Sequence, residues 1–127
     1  METLVLLEAT TRLPSWVDHE AGPESNVMVL AERPGDHPVE LESRALAYAG
    51  QVSRTILVCG PEGGRERTAV RSALILELSE RGPVLLATSA EVTPELAEVA
   101  RLYRVQLRLD MSRGREETFA DPVRRVA

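Results

Sequence analysis

A glycine-rich turn between an apolar run and a helical pattern is the segment of this chain best suited to chemistry. The segment reads Thr55-Ile-Leu-Val-Cys-Gly-Pro-Glu-Gly-Gly-Arg-Glu-Arg67. Its candidate ligands are three glycines and two arginines: Gly60, Gly63, Gly64, Arg65 and Arg67. The glycines allow close backbone approach of an anion, and the guanidinium groups offer bidentate contacts. The pattern predicts a site for ATP, another nucleotide or another anion at residues 60–67. A plain strand-to-helix connector is the alternative, with Glu66 complementing the helix dipole.

Three carboxylates stand at or just past predicted strand ends: Glu8, Glu32 and Asp36. Since parallel strands end at one edge of a sheet, some of these groups are expected to face the same crevice as the glycine turn. There they could act as acid and base, hold Mg²⁺ or bind ribose hydroxyls, and Glu32 is the candidate next to a ribose or metal. Solvated loop charge is the alternative.

The remaining reactive side chains give weaker signals. Cys59 ends a predicted strand before a helix, where a thiol can become nucleophilic, but the sequence shows no evident histidine partner and strand cysteines are usually inert core residues. His19 and His37 lack metal-ligand spacing, so no metal site is predicted, and His37 suits a helix start. With a single cysteine and no signal sequence or long apolar run, we expect a cytoplasmic protein away from membranes.

The basic residues of the chain are all arginine. Fifteen of them oppose twenty acidic residues, for a net charge of −5, and the 127 residues include no lysine. Schiff-base chemistry, a lysine general base and the lysine of a Walker loop are therefore excluded. The negative balance also disfavours nucleic acid as a partner.

The order of elements indicates a Rossmann-like α/β fold. Strands are predicted at 3–9, 26–31, 55–59, 84–88 and 105–110, and helices at 38–49, 64–80 and from Pro94 to about Tyr103. From Asn26 onward, strand and helix alternate. This order predicts a three-layer domain over residues 1–111, with a mostly parallel sheet of about five strands and helices on its faces. The first strand has no recognisable crossover helix, so an antiparallel position at one edge is one expected arrangement.

Two further segments suggest contacts between chains. Residues 105–110 alternate apolar and polar side chains, which is typical of an edge strand. Such a strand could pair with the same strand of a second copy in a homodimer. Residues 112–127 form a polar tail that could order on a protein partner. Trp16 lies in a predicted loop, where it folds back on the core, caps the sheet edge or contacts a second subunit, and the first of these is favoured.

Part of the chain resembles the universal stress proteins. Asn26-Val-Met-Val-Leu-Ala-Glu-Arg-Pro-Gly-Asp36 followed by Ala45-Leu-Ala-Tyr-Ala49 is similar to their opening strand and helix, and Gly60 and Gly63 match their G-x-x-G phosphate loop. The second half of that motif, G-[ST], would fall on Ala73-Leu74, so the match stops there. The resemblance implies a Rossmann-like fold and a dimer formed through the last strand, and with half of the motif missing it does not extend to ATP binding.

Three functions are compatible with these observations. The first is a non-catalytic cytoplasmic regulatory or stress-type protein that binds a nucleotide or other anion at residues 60–67. The second is a homodimeric interaction or scaffold module without a ligand. The third is a hydrolase acting on a phosphorylated or nucleotide substrate, with Glu8 or Glu32 as base.

Overall fold

The computed structural model describes residues 2–8, 11–17, 26–33, 35–60, 65–88 and 94–109. Within these ranges the strands are β1 (Glu2–Leu7), β2 (Asn26–Ala31), β3 (Arg54–Cys59), β4 (Val84–Thr88) and β5 (Gln106–Leu109). The helices are α1 (Pro38–Tyr48), α2 (Arg65–Ser79) and α3 (Pro94–Tyr103), and a 3-10 turn at Ala49–Gln51 follows α1. The predicted alternation from Asn26 onward is confirmed. The predicted tail at 112–127 lies outside the described residues.

The five strands form one parallel sheet in the order β2-β1-β3-β4-β5. The expected antiparallel edge position of β1 is therefore wrong, because β1 lies between β2 and β3 and is parallel to both. Its residues from Thr3 to Leu7 are all buried. A strand buried on both faces has a continuous apolar run, which is the pattern of Leu4-Val-Leu-Leu7 and is typical of the interior of a parallel sheet.

A row of leucines crosses the sheet and receives the helices. In register they are Leu30, Leu6, Leu57, Leu86 and Leu107. All three helices pack on this face, through Leu41 of α1, Leu74 of α2 and Leu96 of α3. Burial of such a leucine side chain contributes about 1.5–3 kcal/mol. This packing fixes the position of α2 on the sheet, with its first turns at the carboxyl ends of the strands.

The opposite face carries a second apolar cluster against which residues of the 11–17 segment pack. Val5, Ile56 and Val58 are buried there, with Val17 and the partly buried Trp16 against them. The guanidinium of Arg108 on β5 lies 4.0 Å from the centre of the Trp16 ring. The expectation that Trp16 folds back on the core is thus confirmed.

Candidate functional site

Strand register brings four polar or thiol side chains into one row at the carboxyl edge of the sheet. Side chains alternate between the faces of a strand, so the residue two positions after each central leucine returns to the helix side. The four residues in these positions are Glu8 and Glu32, which directly follow β1 and β2, and Cys59 and Thr88, which end β3 and β4. All four are buried. The backbone N–H of Glu32 still donates to Leu7 O at 2.8 Å, and that of Glu8 donates to Val58 O at 3.1 Å, so both are held in the ladder.

Helix α2 faces this row with arginines instead of apolar side chains. Arg67 and Arg71 are one helical turn apart, and Leu74 and Leu78 continue the same stripe toward the end of the helix. The leucines pack on the sheet, so the arginines of the first turns must meet the row of carboxylates. The strand order of the sheet reverses between β1 and β3, and the arginines meet the carboxylates beside this point. Doubly wound folds bind their ligands at such a reversal of strand order.

The inner pair joins Arg71 to Glu8. Arg71 Nε donates to Glu8 Oε2 at 2.8 Å, and Arg71 Nη2 donates to Glu8 Oε1. Glu8 Oε1 also accepts the backbone N–H of Gly60 at 2.9 Å. The side chains of Arg71 and Glu8 are only 8% and 5% exposed. The inner pair therefore ties β1, the end of β3 and α2 together, and both carboxylate oxygens of Glu8 are engaged.

The outer pair joins Arg67 to Glu32. Arg67 Nη1 donates to Glu32 Oε2 at 2.9 Å, and Arg67 Nη2 donates to Glu32 Oε1. Arg67 Nη1 also lies 3.9 Å from Glu8 Oε2, which links the two pairs into one cluster. The side chain of Arg67 is 14% exposed, and that of Glu32 is 1% exposed. Glu8 and Glu32 thus belong to one buried cluster at this edge of the sheet, and the alternative of solvated loop charge is wrong for both.

Burial acts differently on the two arginines. For Arg71, burial is the largest influence and lowers the pKa, but the hydrogen bond and charge of Glu8 outweigh it, so the pKa is raised overall. For Arg67, the hydrogen bond to Glu32 is the largest influence and raises the pKa. Both guanidinium groups therefore stay charged, and Arg71 carries the larger desolvation cost.

Cys59 is a free, buried thiol beside this cluster. Burial raises the pKa of the Cys59 thiol far above its usual 9.0, and the charge of Glu8 raises it further, against smaller opposing influences of Arg71 and Arg67. The thiolate is the nucleophilic form, so the described surroundings favour the inert core cysteine over the nucleophile.

The turn after β2, residues 33 and 35–37 of the described chain, forms the rim of the cluster. Gly35 has a φ of 88°, and the side chain of Asp36 accepts the N–H of Arg33 at 3.0 Å, away from the carboxylate crevice. His37 Nδ1 accepts the N–H of Val39 at 3.1 Å, which confirms His37 as a helix-start residue. His37 Nε2 lies 2.9 Å from Glu66 Oε1, so the rim connects the starts of α1 and α2.

The remaining candidate residues divide into described and undescribed ones. Gly60 is described and donates its N–H to Glu8, and Arg65 is exposed in the first turn of α2. Gly63 and Gly64 lie outside the described residues, as does His19. Arg67 and Glu32, proposed separately as ligand contacts, bind each other. Arg71 was missed, although its position four residues after Arg67 and on the apolar stripe of α2 was a visible signal.

The described residues contain neither a metal-binding group of side chains nor a helix that could span a membrane. Within the ranges given above, no three His, Cys, Asp or Glu side chains come together as a metal-binding group. In the same part of the chain, no helix combines the length and apolarity required to cross a bilayer.

Fold and site together define a parallel α/β protein with a paired Glu–Arg cluster at the carboxyl edge of its sheet. Comparison with known proteins adds no relative: no protein-family model, no curated protein and no solved structure matches this chain. The resemblance to the universal stress proteins stays a prediction.

Proposed function

We propose that this protein is a non-catalytic, cytoplasmic regulatory or stress-type protein that binds an anionic ligand, with a nucleotide such as ATP as the specific candidate. The observation that carries the proposal is the convergence of Arg67 and Arg71 on the carboxyl ends of β1 and β2, beside Gly60 at the end of β3. In doubly wound sheets this edge is where ligands bind, and arginine is the side chain best shaped for phosphate.

The charges of the cluster decide which groups can take part. Arg71 is engaged by a carboxylate that also holds a backbone N–H, whereas Arg67 is more exposed and Arg65 is at the surface. Arg65 and Arg67 are therefore the proposed phosphate ligands, together with the N–H groups of Gly63 and Gly64, whereas the N–H of Gly60 is already donated to Glu8. Glu32 would lie next to the ligand. Glu8 and Glu32 have less support as hydrolytic bases, because each already accepts two hydrogen bonds from an arginine.

A ligand-free homodimer is the second candidate. The observation that favours it is the position of β5 at one edge of the sheet, where its far side faces no other described strand. An edge strand is a natural surface for pairing with a second copy. Residue 110 and the tail at 112–127, a proposed site for a protein partner, lie outside the described residues.

Native mass spectrometry of the purified protein, alone and with ATP, tests both candidates. Anion binding predicts a protein mass increased by that of a retained or added nucleotide. The fraction of protein with this added mass should decrease when Arg65→Ala and Arg67→Ala are combined. Arg101→Ala is the matched control, since Arg101 is an exposed arginine paired with Glu98 on α3. A double variant that binds every nucleotide as the parent does would refute the proposal. A doubled mass that no nucleotide changes would favour the ligand-free homodimer.

A further inference from the structure

We infer that Glu32 occupies the position of the ligand's phosphoryl group, so that an anion binds Arg67 by displacing the Glu32 side chain. This inference rests on the proposed function and assigns the regulation of the same site. In the absence of ligand, Glu32 would act as an internal competitor. The affinity of the site would then depend on the difference between two free energies, that of Arg67 binding the phosphoryl group and that of Arg67 binding Glu32.

The geometry of the outer pair supports the exchange. The two terminal nitrogens of Arg67 bind the two oxygens of one carboxylate, with Nη1 to Oε2 at 2.9 Å. A phosphoryl group presents two oxygens in a similar arrangement and accepts the same pair of N–H donors. A phosphoryl group could therefore replace Glu32 without a change in the position of Arg67.

The charge balance of the cluster makes an exchange more favourable than an addition. Glu8 and Glu32 oppose Arg67 and Arg71, so the formal charge of the cluster is already zero. A phosphoryl group added beside Glu32 would meet its carboxylate in a poorly hydrated crevice, where like charges repel strongly. If Glu32 leaves, the incoming anion restores the balance at Arg67.

The two pairs differ in where they lie on the sheet and in the exposure of their arginines. Glu8 follows an inner strand, and its Oε1 also binds the N–H of Gly60. Glu32 follows β2, an edge strand, and leads directly into the exposed Arg33. Arg67 is also the more exposed of the two arginines. Since an incoming anion reaches Arg67 more readily than Arg71, the exchange is assigned to the outer pair, and it requires the 1% exposed side chain of Glu32 to leave a buried position.

Isothermal titration calorimetry with inorganic phosphate and, separately, with ATP tests the inference on the full chain. Glu32→Gln removes the competing charge while keeping the side-chain shape, and it should bind phosphate about tenfold more tightly than the parent protein. Glu98→Gln is the matched control, because it changes the net charge equally at the exposed pair with Arg101. This control should bind phosphate as the parent does.

Two more variants keep the result interpretable. Glu32→Asp retains the charge but shortens the side chain, so it should also bind phosphate more tightly than the parent. It replaces Glu32→Gln in the test if thermal unfolding shows that Glu32→Gln does not fold. Adding Arg67→Gln to Glu32→Gln should remove the gain. A gain that persists in this double variant would overturn the inference, since the net charge alone would then account for it.

The two ligands separate the failure of the inference from that of the proposed function. If the parent binds ATP and Glu32→Gln binds both ligands no more tightly, the inference is wrong while the proposed function stands. If the parent binds neither ligand but Glu32→Gln gains phosphate, the proposed function fails and the competition by Glu32 is supported. A gain with ATP alone would overturn the phosphoryl assignment, because contacts to the nucleoside would then be responsible.

Discussion

The two Glu–Arg pairs at the carboxyl edge of the sheet have the same chemistry but different surroundings. Each pair is bidentate, and each joins the end of a strand to the first turns of α2. The inner pair, Glu8–Arg71, follows a central strand and includes the N–H of Gly60, whereas the outer pair, Glu32–Arg67, follows an edge strand and has a more exposed arginine. Under the proposed function, the inner pair would serve stability and the outer pair would serve binding.

Loss of Arg71 should have the largest effect. Arg71→Met leaves the carboxylate of Glu8 buried without its counter-ion, and breaking a buried pair in this way costs about 3–5 kcal/mol. We expect that decrease in the free energy of unfolding, measured by urea denaturation.

The double variant Glu8→Gln with Arg71→Met is the control for this prediction. It should recover much of the loss, because no uncompensated charge remains in the crevice. A decrease of less than about 1 kcal/mol for Arg71→Met alone would contradict a stabilising role of the inner pair.

Loss of Arg67 should cost less. Arg67→Met removes the more exposed of the two guanidinium groups, so water that enters the space left by it solvates part of the charge of Glu32, whose side chain is 1% exposed in the parent. We expect a decrease of about 1–3 kcal/mol in the same measurement, the usual cost of an unmade hydrogen bond to a buried polar group. Arg101→Met, at an exposed pair, should stay within about 0.5 kcal/mol of the parent. Equal losses for Arg67→Met and Arg71→Met would remove the distinction between the two pairs.

The stability of the protein should depend on pH through Cys59, because burial and the charge of Glu8 in the inner pair raise the pKa of its thiol. The folded protein keeps the thiol protonated, because burial and then Glu8 raise its pKa, whereas the unfolded thiol ionises near 9.0. The unfolded state therefore loses its proton first as the pH rises, and stability decreases above pH 9.0. At one pH unit above that value the expected loss is about 1.4 kcal/mol.

Cys59→Ala isolates this contribution. The difference in unfolding free energy between pH 8 and pH 10 should be smaller in the variant than in the parent by about the same 1.4 kcal/mol. Equal pH dependence in both proteins would show that the thiol ionises alike in the folded and unfolded states.

Local patterns predicted most of the fold. The apolar runs, the caps and the Gly-Pro turn predicted the strands and helices to within a few residues of their observed ends. The placement of β1 was wrong because the sequence between β1 and β2 has no clear periodic pattern, so no crossover helix was predicted there. The continuous apolar run of β1 contained the better signal, since it is typical of a strand covered on both faces.

The candidate site was predicted only in part. The row of Glu8 and Glu32 follows from counting two residues past the leucines of each strand, and the sequence placed both carboxylates at this edge. Arg71 was overlooked because an arginine on an apolar stripe is usually attributed to the helix surface. Arg67 was correctly placed at the site, but it was expected to be free for phosphate, whereas it binds Glu32.

The sequence by itself determined the α/β class, the order of elements and the chemistry that an absence of lysine excludes, because these depend on residue type and on patterns within a few neighbours. Only the tertiary structure decided the pairing of charges. Glu32 and Arg67 are 35 residues apart, and Glu8 and Arg71 are 63 residues apart. Their contacts exist because strand register aligns the carboxylates and the leucine row fixes the position of α2. Both of these constraints arise only when the whole sheet is assembled.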